Sequence, residues 1–211
     1  VRAAFELLHA RSAAQGQLAQ AITGIPYYYR QFGYEYALDL GGGRSVFLDA
    51  IPALEEGQAE PYTLRDASAS DIPRVLALYD RERARGPVSA QLPAEYLRWT
   101  MDGQDIESGE GWRTQLIVPS GGGEPIGYLL VRRRRWGQAA GVPAIGFEPG
   151  VPLQAVLPSV LRALVPQARA TLGWGPKVKP VTQILFQLGR DHPIYQALDA
   201  RLAAHGVAPG D

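Results

Sequence analysis

The chain of 211 residues has no cysteine, so disulfides, thiolate metal sites and cysteine nucleophiles are excluded at the outset. Histidine is nearly as scarce. His9, His192 and His205 lie far apart, with no paired carboxylate and no i, i+4 partner, and no metal is expected. No apolar run approaches the roughly 18 residues that a membrane-spanning helix requires. Arg2, Glu6, His9 and Arg11 interrupt the first segment where a signal peptide would be apolar. Net charge is also missing, with 21 Lys+Arg against 21 Asp+Glu, which offers nothing to attract nucleic acid or an anionic membrane. Positive charge is almost all arginine; Lys177 and Lys179 are the only lysines. No Gly-x-Ser-x-Gly, Walker loop or His-Glu-x-x-His is found, so those hydrolase, nucleotide-binding and zinc-protease signatures are absent. The expectation is a cytoplasmic protein with no membrane and no nucleic-acid partner.

What is present suffices for a core. Hydrophobic residues make up 46% of the chain, and the length suits one large domain or two modest ones. The stretch that organises the rest is Ala21 to Leu40, AITGIPYYYRQFGYEYALDL. A short β-prone run, Ala21-Ile22-Thr23, meets Gly24, and Pro26 supplies a φ suited to a helix start. One helical segment is expected from Pro26 to Phe32, stopped by Gly33 in the left-handed conformation. Alternation then returns at period two, with Tyr34, Tyr36, Leu38 and Leu40 on one side, as in a half-buried strand. Tyr27, Tyr28 and Tyr29 cannot share a face, because successive helical residues are about 100° apart. At least one therefore meets solvent or a cleft. By composition alone the three rings read as packing aromatics.

Tyr29-Arg30-Gln31-Phe32-Gly33-Tyr34, with a strand expected before it, resembles the Y-x-x-x-G-[FY] pattern near the C-terminal end of the GCN5-related N-acetyltransferase (GNAT) superfamily. The resemblance implies transfer of acetyl from acetyl-CoA to an amine, with Tyr29 as general acid. The chemistry is consistent: attack of an amine on a thioester releases a thiolate, and a phenol of pKa near 10 is a proton donor at neutral pH. The same resemblance makes Val1 to Ala14 the helix that follows the cofactor's pyrophosphate loop, [QR]-x-x-G-x-[GA], in which free amides at a helix N-terminus hold the phosphates. That loop is expected upstream of Val1, in a chain that begins in mid-protein, so the fragment alone is expected to be inactive.

Beyond Leu40, Gly41-Gly42-Gly43 reads as a hairpin turn into Ser45 to Leu48, and Pro52 to Glu60 as a linker. A new unit then starts. Tyr62-Thr63-Leu64-Arg65-Asp66-Ala67 followed by Asp71-Ile72-Pro73 resembles the opening of a GNAT domain, a strand and then a capped amphipathic helix ending near Gly86. A helix at Leu92 to Met101, strands at Thr114 to Val118, Pro125 to Trp136 and Ala144 to Phe147, a helix from Leu153 to Leu172 and a strand from Val181 to Leu188 complete the order. The loop pattern is missing between Gly146 and Gln154, where Pro149 and Pro152 also remove amides. Tyr195 is the counterpart of Tyr29 in this copy and is assigned a structural role, Asp191 a helix cap, and His192 a surface position. Arg132 to Arg135 read as a solvated strand end rather than a nucleic-acid patch, and Trp174 as the cover of a helix end.

The resulting expectation is an α/β fold with a mixed, mostly antiparallel GNAT-like central sheet flanked by helices. Residues 1–51 would be the C-terminal part of a first copy, 52–60 a linker and 61–211 a degenerate second copy, a tandem GNAT. The cofactor is acetyl-CoA without metal, the substrate a small-molecule or peptide amine, and self-association stays open. The rival expectation is a non-catalytic scaffold, dimerisation or ligand-binding module.

Overall fold

The computed structural model describes residues 1–22, 24–37, 43–86, 88–175, 178–189 and 191–198, together with the backbone of 205–206. They fall into two compact units, within Val1–Leu40 and within Gly41–Ala208.

The first unit is small and aromatic. Helix α1, Arg2–Ala14, has Ser12 as its one buried residue, so it is not held by an aliphatic core. Phe5 does that work: it stacks on Phe32 at 4.2 Å and meets Tyr29 and Tyr34 edge-on at 6.0 and 5.9 Å. The expected helix is a short 3₁₀ turn, Tyr28–Phe32, and it ends at Gly33 with φ 87°, the left-handed stop that only glycine adopts cheaply. The two expected strands differ. Ala21–Ile22 and Tyr34–Ala37 are irregular, while Thr23 and residues 38–40 lie outside the described residues. The period-two pattern at Tyr34 and Tyr36 serves ring packing and hydroxyl contacts instead of a ladder.

The second unit has three layers. Strands β2 (Tyr62–Asp66), β3 (Trp112–Pro119), β4 (Gly127–Arg132) and β7 (Ala144–Phe147) form an antiparallel sheet in the order β2-β3-β4-β7. Because side chains alternate along a strand, each helical layer receives its own set. Ile117, Leu129, Val131 and Ile145 join the cluster with Val156, Leu157, Val160, Leu161 and Leu164 of helix α4, Leu153–Ala170. Leu116, Tyr128 and Leu130 join Ile72, Val75, Leu78 and Leu97 of helices α2, Ile72–Arg83, and α3, Ala94–Asp102.

A second sheet has the order β10-β1-β9-β6, from β1 (Arg44–Phe47), β6 (Ala139–Val142), β9 (Gln183–Phe186) and β10 (His205–Gly206). Here the expected domain division fails. Arg44–Phe47 pairs antiparallel with β9 along its length and with β10 at Arg44 and Ser45, so it belongs to the second unit rather than to a hairpin closing the first. The expected linker is likewise anchored: Arg162 Nη2 donates to Glu60 Oε2 at 2.9 Å. That hydrogen bond, ahead of the cost of burial, holds the Glu60 carboxyl below its ordinary range. Two short strands, β5 (Arg134–Arg135) and β8 (Leu172–Gly173), pair parallel, and a short helix α5 covers Ile194–Ala197.

β6 and β7 are one strand interrupted by Pro143. Ala139–Val142 runs parallel to β9, ending with Gln187 N–H donating to Val142 O at 2.9 Å. Beyond Pro143, which has no N–H, Ala144–Phe147 pairs with β4 instead. The strand thus changes partner, and a cleft opens where β7 leaves the line of β9.

Candidate functional site

Tyr29 lies in the 3₁₀ turn and is half-buried, its ring edge-on to Tyr28 at 5.2 Å and to Phe5 at 6.0 Å. Its hydroxyl rests against Gly24: a Cβ there would stand 3.1 Å from the oxygen and 3.3 Å from Cε2, and φ at Gly24 is 148°. The neighbouring hydroxyls are occupied. Tyr34 Oη donates to Gln20 Oε1 at 2.7 Å and is 3.3 Å from His9 Nε2, while Tyr36 Oη accepts the Tyr27 N–H at 2.7 Å. The last bond holds Tyr27 in a left-handed conformation, φ 64°, which costs a non-glycine residue about 1 kcal/mol or more. Arg30 adds to that clamp, 5.5 Å from the Tyr27 ring, 5.4 Å from Tyr36 and 3.0 Å from Glu35 Oε2. Among the described residues the Tyr29 hydroxyl makes no hydrogen bond. A fixed ring with an unengaged O–H is the arrangement a proton donor requires.

The second unit does not fit acetyl-CoA's diphosphate. Helix α4 starts after Glu148-Pro149-Gly150-Val151-Pro152, with Pro152 at its N-cap, so two of the loop's donors are missing. Glu148 places a carboxylate beside that loop and takes up two guanidiniums, Arg74 at 3.0 Å and Arg81. A formal match to the loop pattern does exist at Arg134-Arg135-Trp136-Gly137-Gln138-Ala139. It runs from β5 through a turn into β6, with no helix N-terminus to supply amides.

Other residues take unexpected places. His192 is buried rather than on the surface, 9% exposed, and it accepts the Ile194 N–H on Nδ1 at 3.3 Å. It does the capping expected of Asp191, which is exposed. Accepting on Nδ1 puts the proton of the neutral ring on Nε2, and Nε2 lies 3.2 Å from Glu82 Oε1. Burial works to raise the Glu82 carboxyl, but His192 and then Arg85 outweigh it and hold it below its ordinary range. Tyr195, assigned a structural role, donates its hydroxyl to Phe186 O at 3.1 Å, and Arg44 lies over its ring at 5.3 Å.

The arginine run is not a solvated end. Arg132 meets Glu110 at 2.6 Å, Arg133 donates to Thr100 O at 2.9 Å, Arg134 pairs with Glu107, and buried Arg135 donates to Thr171 O at 3.0 Å. Trp174 stacks obliquely with Trp136 at 6.0 Å, both exposed, rather than covering a helix end. The described residues hold no cluster of three or more potential metal ligands, and no described helix is long and apolar enough to cross a membrane.

The fold is that of the GCN5-related N-acetyltransferases. A GCN5-related N-acetyltransferase from Anabaena variabilis matches 97% of this chain and 47% of its own, with TM-score 0.54 and 11% identity. Eis1 from Mycobacterium abscessus matches 98% of this chain and 48% of its own, with TM-score 0.52 and 16% identity. The chain thus spans about half the length of these two structures. No family model and no curated protein matches the sequence.

Proposed function

We propose that the protein is an acetyl-CoA-dependent N-acetyltransferase acting on the amine of a small molecule or peptide, with Tyr29 as its general acid. The observation that carries this reading is the hydroxyl of Tyr29, held by ring contacts over Gly24 and left without a hydrogen bond among the described residues, while Tyr34 and Tyr36 spend theirs on structure. In the reaction the amine nitrogen bonds to the thioester carbonyl carbon, the C–S bond breaks, and Tyr29 Oη gives the departing sulfur its proton; the nitrogen sheds a proton to solvent, and solvent returns one to the phenolate. For residues 61–211 a second reading is favoured by Glu148, Pro149 and Pro152 at the start of α4: a degenerate copy that supports the enzyme without holding the cofactor.

The test is thiol release from acetyl-CoA by the full-length protein with a panel of primary amines, beside calorimetric titration of acetyl-CoA into residues 1–211. The full-length protein should turn over and lose turnover in Tyr29→Phe, while the 211-residue chain gives no binding heat. Full turnover in Tyr29→Phe would remove the general-acid role.

A further inference from the structure

Strands β5 and β8 are two residues each, yet they build a fixed surface. They pair parallel, Arg134 beside Leu172 and Arg135 beside Gly173, and the Trp174 N–H, donating to Arg135 O at 2.9 Å, carries the pairing one residue further. Side chains alternate along a strand, so Arg134, Trp136, Leu172 and Trp174 share one face. Arg135 points the other way and is spent on the scaffold: it is buried and donates to Thr171 O at 3.0 Å and to Gly137 O. The two indoles have their ring centres 6.0 Å apart and are tilted by 48°. Gly109 lies against Trp174, where a Cβ would stand 3.4 Å from Cδ2. The rings of Trp136 and Trp174 are nonetheless 60% and 45% exposed. Neighbouring indoles held in place and left in water mark a contact surface.

This face opens onto a groove of about 660 Å³ at the end of the sheet, to which Arg134 and Leu172 also belong, with Glu107, Arg113, Arg132 and Gln167 among its other walls. The charges there are paired. Arg134 meets Glu107, Arg132 meets Glu110 at 2.6 Å, Arg113 lies 3.9 Å from Asp66 Oδ1 and 3.4 Å from Gln167 Oε1, and Arg133 donates to Thr100 O at 2.9 Å. A phosphate therefore finds no guanidinium without a partner, and an ammonium gains little from carboxylates already paired. A planar base has no slot, since rings this close and tilted admit nothing between them. A protein partner would have to strip water from the ion pairs, a cost that their attraction seldom repays. Hydroxyls differ. Each both donates and accepts, so it can bond to a paired guanidinium or carboxylate and leave the pair intact, and the side chains of Glu107, Glu110 and Arg113 are well exposed.

We propose that the groove and the tryptophan face beside it bind an uncharged oligosaccharide. Two successive pyranose rings lay their C–H faces on Trp136 and Trp174, and the hydroxyls around the rings meet Glu107 at the mouth of the groove and Arg113 further along it. The inference stands apart from the role of Tyr29.

The experiment is titration of cellotetraose, and separately of maltotetraose, into the ¹⁵N-labelled 211-residue chain, following the indole N–H signals, with sedimentation equilibrium of the sugar-free chain beside it. With at least one of the two sugars, Trp136 and Trp174 should shift saturably and further than Trp99 and Trp112. Trp136→Ala should weaken binding about tenfold and Trp136→Tyr should keep most of it, both with an unchanged melting temperature because the ring is exposed. Tyr29→Phe should leave the titration unchanged. Absence of saturable shifts at Trp136 and Trp174 with both sugars would overturn the inference, and so would undiminished affinity in Trp136→Ala. A dimer that Trp136→Ala converts to monomer would overturn it too, by making this face an interface between two copies of the chain.

Discussion

Tyr29 and Tyr195 are the same residue type held in different ways. Each lies in a short helical turn, in the first unit Tyr28–Phe32 and in the second Ile194–Ala197. Tyr195 donates its proton to Phe186 O at 3.1 Å, tying α5 to the end of β9, and burial pushes its phenol up. Among the described residues the Tyr29 side chain makes ring contacts and no hydrogen bond. A hydroxyl committed to a backbone carbonyl must break that bond before it can protonate anything; a hydroxyl held by its ring alone need not. Sequence similarity between two such turns therefore says less about chemistry than the destination of one proton.

The sharpest way to break that comparison is Tyr29→Phe. On the role proposed for Tyr29, its loss should lower turnover by about 10²- to 10⁴-fold, with kcat and kcat/KM falling together because such an interaction exists only in the transition state. Steady-state kinetics on the full-length protein reads both. Gly24→Ala comes next. It adds a Cβ 3.1 Å from the Tyr29 oxygen at φ 148°, a conformation that penalises every side chain. The ring must shift, and turnover should fall about ten- to a hundredfold while Tyr29 itself is unchanged.

The sequence carried the second unit well and the first unevenly. α1, α2, α4, β2, β3 and β7 lie close to their expected ranges, because apolar periodicity and capping residues are local signals. Gly33 was legible for the same reason. The pairing of β1 with β9 and β10 was not, since nothing local tells Arg44–Phe47 which of two distant segments will cover its edges. The strand change at Pro143 had a visible cause, a residue without N–H, but its consequence depends on β4 lying alongside. His192 was misplaced because a histidine two residues before Ile194 looks like a first-turn surface residue until its Nδ1 is seen to cap that turn.

A carboxylate separates folding from chemistry in the second unit. Asp71 accepts two bonds from Arg65 and one each from the Ser68 N–H and hydroxyl, all at 2.8 Å. The Arg65 bonds above all hold its carboxyl far below the ordinary range. A depressed carboxyl stabilises the fold fully above its unfolded pKa of about 3.9 and loses that contribution as pH falls below it. Asp71→Asn should cost roughly 1 kcal/mol at neutral pH, discounted because Arg65 is well exposed. Melting temperatures of the two proteins should differ at pH 7 and converge as the pH is lowered through 4 toward the folded pKa. A constant difference across that range would assign the loss to the cap's shape rather than to its charge.

Tyr195→Phe is the smallest change and tests the other half of the comparison. It removes one hydrogen bond to a carbonyl in a partly buried setting, worth about 1 kcal/mol, and keeps the ring under Arg44 and against the core. Turnover of the full-length protein should match wild type at temperatures where both are folded, with a slightly lower melting temperature. A large loss of turnover with an unchanged melting temperature would mean that the proton on Tyr195 is spent on chemistry, and the two tyrosines would exchange roles.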